Sequence, residues 1–283
     1  MSTTWYSDVP PESPTPLDGV GRWRVLRRAV PTIVTMALLF VVMLLSRPVE
    51  RFAFGLRRPI TPILTLSFFR LARFFMGFQV VVKGEPSRLP GIVVANHSSW
   101  LDIVLLHQAQ NVFFVSKAEV ESWPGIGFVA GVAGTLFIRR NRSEARNHAG
   151  AMEERLGAGQ KLVIFPEGTS SDGLRILPFR SSLFQALLAA EQSRPGLFVQ
   201  PVTIAYNAPE GQEPRFYGWW GDMDFGENIV KLLRIPRQGK IHLTYHPPVA
   251  VADFENRKAL ARQCEDVVRS GIPGDAYGSC ADT

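Results

Sequence analysis

"VVANHSSWLD", residues 93–102, closes an apolar run with an imidazole and places a carboxylate five positions later. Two residues five apart in one helix lie about 140° apart around its axis and cannot meet. The stretch therefore reads as a strand, "IVVA" at 92–95, delivering Asn96 and His97 at its carboxyl end, with Ser98 or Ser99 as N-cap of a helix through "WLDIVLLHQA". With His97 in the loop and Asp102 in the first helical turn, the chain folds back and the carboxylate reaches the ring. Asp102 would then fix the tautomer and leave the other ring nitrogen free to take a proton from a hydroxyl. The alternative makes His97 a plain loop histidine and Asp102 a cap of its own helix.

The same strand-then-helix rhythm continues on both sides. Short β-branched runs at 80–82, 91–95, 112–116, 135–138, 161–165, 198–206 and 240–246 alternate with helical stretches at 143–157, 181–192, 224–234 and 254–270. That alternation predicts an α/β fold: a mixed, largely parallel sheet flanked by helices. Ligands of such sheets collect beyond the carboxyl ends of strands, which is where His97 falls.

Three further polar clusters leave strands in the same way. "KLVIFPEGTSSDG", 161–173, carries Glu167, Gly168 and Thr169 into a turn whose backbone N–H groups could bind an anion beside a carboxylate that hydrogen-bonds a substrate hydroxyl. Lys117 follows "VFFVS", and Arg139 and Arg140 follow "GTLFI", so cations also stand at strand ends where a phosphate could be gripped. In "VQPVTIAY", Pro201 interrupts an apolar run, which suggests an edge or a bulge near a binding surface rather than a central strand.

The amino-terminal quarter is different in kind. Residues 22–88 hold twelve Lys or Arg and two acids. These cations flank or interrupt apolar stretches instead of lining a polar helix, which suits anionic lipid headgroups and argues against nucleic acid. Residues 29–46 contain no charge and, as a helix, would span about 27 Å, close to the hydrocarbon thickness of a bilayer. Arginines on both sides give no orientation, and a helix dipping into one leaflet would explain them. Residues 59–80 place Arg70 and Arg73 among five phenylalanines, an interfacial amphipathic pattern, with a helix packed on the main domain as the alternative. The expected organisation is a mobile tail at 1–21, a membrane-associated helical segment at 22–80 and a main domain at 81–283. The five histidines show no metal-ligand spacing, and the two cysteines, far from the polar clusters, suggest a reducing compartment.

Taken together, NHSSWLD, GTLFIRR, FPEGTSSDG and VQPVTIAY resemble, in order and separation, the four blocks of the glycerolipid acyltransferase family over roughly residues 75–250. The resemblance implies acyl transfer from acyl-CoA or acyl-carrier protein to the hydroxyl of a lysophospholipid, without an acyl-enzyme and with no cofactor or metal. His97 would be the general base and Asp102 its orienter. Lys117 and Arg140 would hold the acceptor's phosphate, with Arg139 adding charge nearby. Glu167, Gly168 and Thr169 would form part of the acceptor site, and the Pro201 block would shape the acyl or donor side. Ser170 stands where many relatives carry arginine, leaving one phosphate contact to Arg175 or Arg180 or unmade.

The expected acceptor is 1-acylglycerol-3-phosphate, giving phosphatidic acid. Lyso-ornithine lipid or another lysophospholipid is the alternative, and a non-catalytic lipid-binding protein of the same fold is a third reading. "FYGWWGDMDF", 216–225, resembles a segment of family members that acylate lyso-ornithine lipid, and reads either as a loop near the membrane or as plain packing. The expected location is the cytoplasmic face of the inner membrane, on a surface of anionic lipids.

Overall fold

A computed structural model describes residues 4–12, 16–123, 126–138 and 145–272. Two amino-terminal helices, α1 (Gly19–Phe54) and α2 (Thr61–Met76), lead into a sheet of eight strands: β1 (Gln79–Lys83), β2 (Gly91–Ala95), β3 (Phe113–Lys117), β4 (Leu136–Ile138), β5 (Leu162–Ile164), β6 (Phe198–Tyr206), β7 (Lys240–Tyr245) and β8 (Val249–Ala250). The strand order is β1-β7-β6-β2-β5-β3-β4, with β8 paired to β6. From β6 to β4 every pairing is parallel, so five strands end on the same side; β7 and β8 run antiparallel to β6. The mixed, largely parallel sheet expected from the sequence is therefore present.

β2 sits between β5 and β6 and is wholly buried, as a continuous apolar run in a central parallel strand should be. Apolar side chains fill both faces of the sheet. One layer joins Val93, Leu105, Val163, Ile204 and Leu232; the other joins Ile92, Leu162, Phe184, Leu187 and Leu260. The connecting helices are α3 (Leu101–Ala109), α4 (Ile126–Ala133), α5 (Ala145–Gly157), α6 (Gln185–Ser193), α7 (Phe225–Arg234) and α8 (Arg257–Ser270).

Pro201 corrects the sequence expectation, because it lies in β6, a central strand, paired with Val94 of β2 and buried. The reason is a break in the strand beside it. β6 pairs with β8 through Phe198 and Val199, then with β7 from Val202 onward, and Pro201 falls in the gap between them. Its carbonyl accepts the His246 N–H at 3.0 Å across that gap, so the donor that proline lacks is missing where the neighbouring ladder is itself interrupted.

α1 runs 36 residues, about 54 Å, and has Pro31 and Pro48 within it. It is long and apolar enough to cross a membrane. Both ends, however, are tied to the rest of the chain. Near its start, the buried Arg28 guanidinium donates to the carbonyls of Leu233, Ile235 and Pro236 at 2.9, 2.8 and 3.2 Å. Near its end, Glu50 accepts the N–H groups of Ile60 and Thr61 at 2.6 and 2.8 Å and so caps α2. Between these anchors Ile33, Leu38, Val41, Leu45, Val49 and Phe52 are exposed. α2 packs on the main domain on one side, where Phe69 stacks on His107 of α3 with ring centroids 4.5 Å apart, while Ile63 and Phe74 are exposed.

Residues 4–12, expected as part of a mobile tail, lie against the domain. Trp5 N–H donates to Thr169 Oγ1 at 3.2 Å, and the Trp5 ring faces the Arg175 guanidinium at 5.4 Å. The Tyr6 hydroxyl donates to the Asp222 carboxylate at 3.1 Å, and Glu12 pairs with Lys231 at 3.4 Å.

Candidate active site

The site is built where β2 ends. Asn96 continues the ladder with its side chain, donating to the Ile204 carbonyl and accepting the Ile204 N–H, both at 2.8 Å. This pins the end of β2 to β6 and fixes where the next residue, His97, leaves the sheet. The His97 N–H donates to Glu167 Oε1 at 2.6 Å, and its carbonyl accepts the Ser171 N–H at 3.0 Å. The imidazole stacks on Phe165 at 4.1 Å with 14° between the planes. Main chain and ring are thus both held before Asp102 contributes.

Asp102 is the second residue of α3 and is fully buried. Its Oδ2 lies 2.8 Å from His97 Nδ1 and also accepts the N–H groups of Ser98 and Ser99 at 2.8 and 3.0 Å. Its Oδ1 accepts the hydroxyl of Tyr206, the last residue of β6. Four donors on one carboxylate satisfy a charge that burial would otherwise make very costly. Asp102 thus caps backward onto the loop through the Ser98 and Ser99 N–H groups, while Trp100, and neither Ser98 nor Ser99, stands at the N-cap of α3; its side chain caps nothing and donates Nε1–H to Asn228 Oδ1 at 2.9 Å. His97 Nδ1 is consequently the donor to Asp102, and Nε2 is left as the acceptor.

Glu167 is placed differently from the expectation. It is 2% exposed, and its second oxygen accepts the Leu177 N–H at 2.7 Å. Its carboxyl therefore clamps the His97 loop to the following turn, with a main-chain N–H on each oxygen. Burial pushes it up to about 8; Asp102's charge adds to the rise, while the two N–H donors and Arg269 oppose it. Gly168 turns at φ 73°, a left-handed position that suits glycine, and donates its N–H to the Phe165 carbonyl at 3.0 Å. Thr169 meets Trp5, as above. Lys117 ends β3 on the same side of the sheet as His97. Arg139 and Arg140, expected as cations at a strand end, lie outside the described residues. Pro201 is buried within β6, paired with Val94 of β2.

Sequence reasoning missed Tyr206 and Asp172. Tyr206 stands at a strand end beside β2, so the rule that picked out His97 also applied to it. Asp172 pairs with Arg175 at 3.2 Å, and both sit in the loop Trp5 covers. In the 216–225 segment Phe216, Tyr217 and Trp220 are buried, which favours packing; Trp219 donates its main-chain N–H to the Ser98 carbonyl at 2.8 Å and faces Trp123 edge-on. Among the described residues no His, Cys, Asp and Glu gather in a metal-binding group. A histidine held through Nδ1 by a buried carboxylate at the end of a parallel strand is an arrangement able to take a proton from a hydroxyl through its other ring nitrogen.

Comparison with known proteins agrees. Residues 79–205 match the acyltransferase family model. A lyso-ornithine lipid O-acyltransferase of Rhodobacter capsulatus is 45% identical over 95% of this chain and 96% of its own. A 1-acyl-sn-glycerol-3-phosphate acyltransferase of Neisseria meningitidis is 31% identical over 73% of this chain and 78% of its own. The crystal structure of the 1-acyl-sn-glycerophosphate acyltransferase PlsC from Thermotoga maritima superposes with a TM-score of 0.61 at 22% identity, covering 93% of this chain and 98% of that one, which establishes the shared fold. This chain belongs to the glycerolipid acyltransferase family.

Proposed function

We propose that the protein transfers an acyl chain from a thioester, on coenzyme A or acyl-carrier protein, to the hydroxyl of lyso-ornithine lipid at a membrane surface. The observation that carries the chemistry is the Asp102–His97 pair. His97 Nε2 takes the hydroxyl proton as the oxygen attacks the thioester carbonyl; the C–S bond then breaks, and the thiolate leaves with the proton the imidazolium returns. Asp102 holds the tautomer and stabilises the transient positive charge.

The choice of acceptor departs from the sequence-based preference for 1-acylglycerol-3-phosphate. It rests on the 45% identity over almost the full chain, against 31% over 73% for the Neisseria relative. Charge near the site supports it. The half-exposed Arg175 and the exposed Asp222 lie against the consecutive residues Trp5 and Tyr6. A headgroup built on ornithine carries both a carboxylate and an amine, and would find a partner for each. The exposed apolar stretch of α1, pinned at both ends, would lie in one leaflet with the site at the bilayer surface, on the cytoplasmic side where thioester donors are made. A lysolipid panel decides: purified protein should turn over lyso-ornithine lipid at least about tenfold faster than lysophosphatidic acid. The reverse preference would replace this acceptor with 1-acylglycerol-3-phosphate.

A further inference from the structure

The turn between α1 and α2 lies at the opposite end of the sheet from His97, against the residues that precede β3, β4 and β5. Three arginines converge there. Arg58 is 7% exposed, and its Nε and Nη1 have no hydrogen-bond partner among the described residues. Arg47 Nη1 is likewise buried and unbonded; it stands 3.6 Å from Glu50 Oε2, too far for a hydrogen bond. Arg155 reaches in from α5 and donates to the Gly134 carbonyl. Glu50, the acid nearest Arg47, already accepts the first N–H groups of α2 and the Thr61 hydroxyl.

Three guanidinium charges share this place with Glu50, and buried guanidinium N–H groups left unbonded add to the cost of burying that charge. The fold nonetheless makes room for the arrangement. Gly134, at φ 96°, has no Cβ, and one built there would stand 2.1 Å from Arg58 Nη1; the Arg58 guanidinium also faces the Phe113 ring at 5.9 Å. Arg58 itself adopts φ 43°, a left-handed conformation that a residue with a Cβ rarely takes. Burial, followed by the charges of Arg47 and Arg155, brings the Arg58 guanidinium down to about 10. The apolar side chains around the turn point outward: Phe52 is 96% exposed, Ile63 65% and Phe54 49%.

We propose that Arg47, Arg58 and Arg155 form an anion site for a phosphate group, separate from the catalytic centre and supplied by the headgroup of an anionic lipid beside the α1–α2 turn. Guanidinium forks match phosphate oxygens, and the exposed rings and aliphatic chains around them match acyl tails. The site does not depend on the identity of the acceptor lipid or on the role of His97, so its failure and that of the catalytic reading are distinguishable.

The experiment is a thermal-unfolding titration of the full chain in neutral detergent, with inorganic phosphate against sodium chloride at matched ionic strength, and a second arm with phosphatidylcholine vesicles containing or lacking phosphatidylglycerol. Phosphatidylglycerol vesicles should raise the midpoint by at least about 3 °C over pure phosphatidylcholine. Arg58→Gln and Arg47→Gln should abolish that rise, and Arg57→Gln, an exposed cation on the same turn, should retain it. Without anion, Arg58→Gln should unfold no earlier than the parent, because it removes a buried charge whose Nε and Nη1 are unbonded among the described residues. Stabilisation by inorganic phosphate as well as by the vesicles supports the site and makes free phosphate a sufficient ligand. No stabilisation in either arm, or an Arg58→Gln and Arg47→Gln response equal to the parent's, overturns the proposal; if Arg58→Gln does not fold, the half-buried Arg47→Gln decides.

Discussion

Tyr206, at the last position of β6, donates its hydroxyl to Asp102 Oδ1 across 104 residues of sequence. The carboxylate that orients His97 is therefore positioned by a neighbouring strand as well as by its own loop. Removing the hydroxyl leaves a buried carboxylate oxygen without its partner, at a cost of about 1–3 kcal/mol. Tyr206→Phe is expected to lower kcat by roughly tenfold with acceptor KM little changed, read by steady-state acyl transfer; an unaltered kcat would remove Tyr206 from the positioning of the base.

Glu167 carries the clearest contrast between sequence and structure. In the folded chain it keeps its proton to about pH 8, while the unfolded chain releases it near 4.5. The folded state thus binds more protons between those values, and stability falls as pH rises through that window. Glu167→Gln, which cannot ionise, should lose less of its melting temperature than the parent between pH 5.5 and 8. Acceptor KM should stay within about twofold, since the carboxyl faces two main-chain amides. A tenfold rise in KM would return Glu167 to the substrate.

His107 gives the opposite dependence. Burial between Phe69 and Phe114 pushes its imidazole down to about 3, against 6.5 for an ordinary histidine. Its share of stability is fully present above pH 6.5 and is lost on acidification toward 3, at about 1.4 kcal/mol per pH unit. His107→Leu should flatten the fall in denaturant midpoint between pH 6.5 and 5. An equal slope in parent and variant would mean the ring is open to water.

Trp5 and Tyr6 bridge the 167–175 turn and the 217–222 loop through exposed contacts, each worth little alone. The double variant Trp5→Ala, Tyr6→Phe is expected to raise acceptor KM by about threefold or more while kcat holds within twofold. Equal falls in kcat and kcat/KM would place these residues in the chemistry instead.

The parts legible in the sequence are those whose signal is local. β2, β5 and β6 announce themselves as β-branched runs, and the His97–Asp102 gap only makes sense as strand, loop and helix start. α4 was missed because "IGFVAGVA" is glycine-broken and apolar on all faces, without helical period. β8 is two residues long. Pro201 misled because the break between β7 and β8 that accommodates it is a tertiary fact, made by segments some 45 residues away. Glu167 misled for the same kind of reason: a carboxylate in a polar glycine turn looks exposed until the Leu177 main chain is seen to close over it.

In the proposed mechanism His97, held by Asp102, removes the acceptor's proton. Full-length protein and His97→Ala are assayed side by side for acyl transfer from a labelled thioester to lyso-ornithine lipid and for binding of that lipid. Binding should stay within about twofold while transfer falls at least about a hundredfold, the scale of a lost general base. Transfer unchanged in His97→Ala would contradict that mechanism.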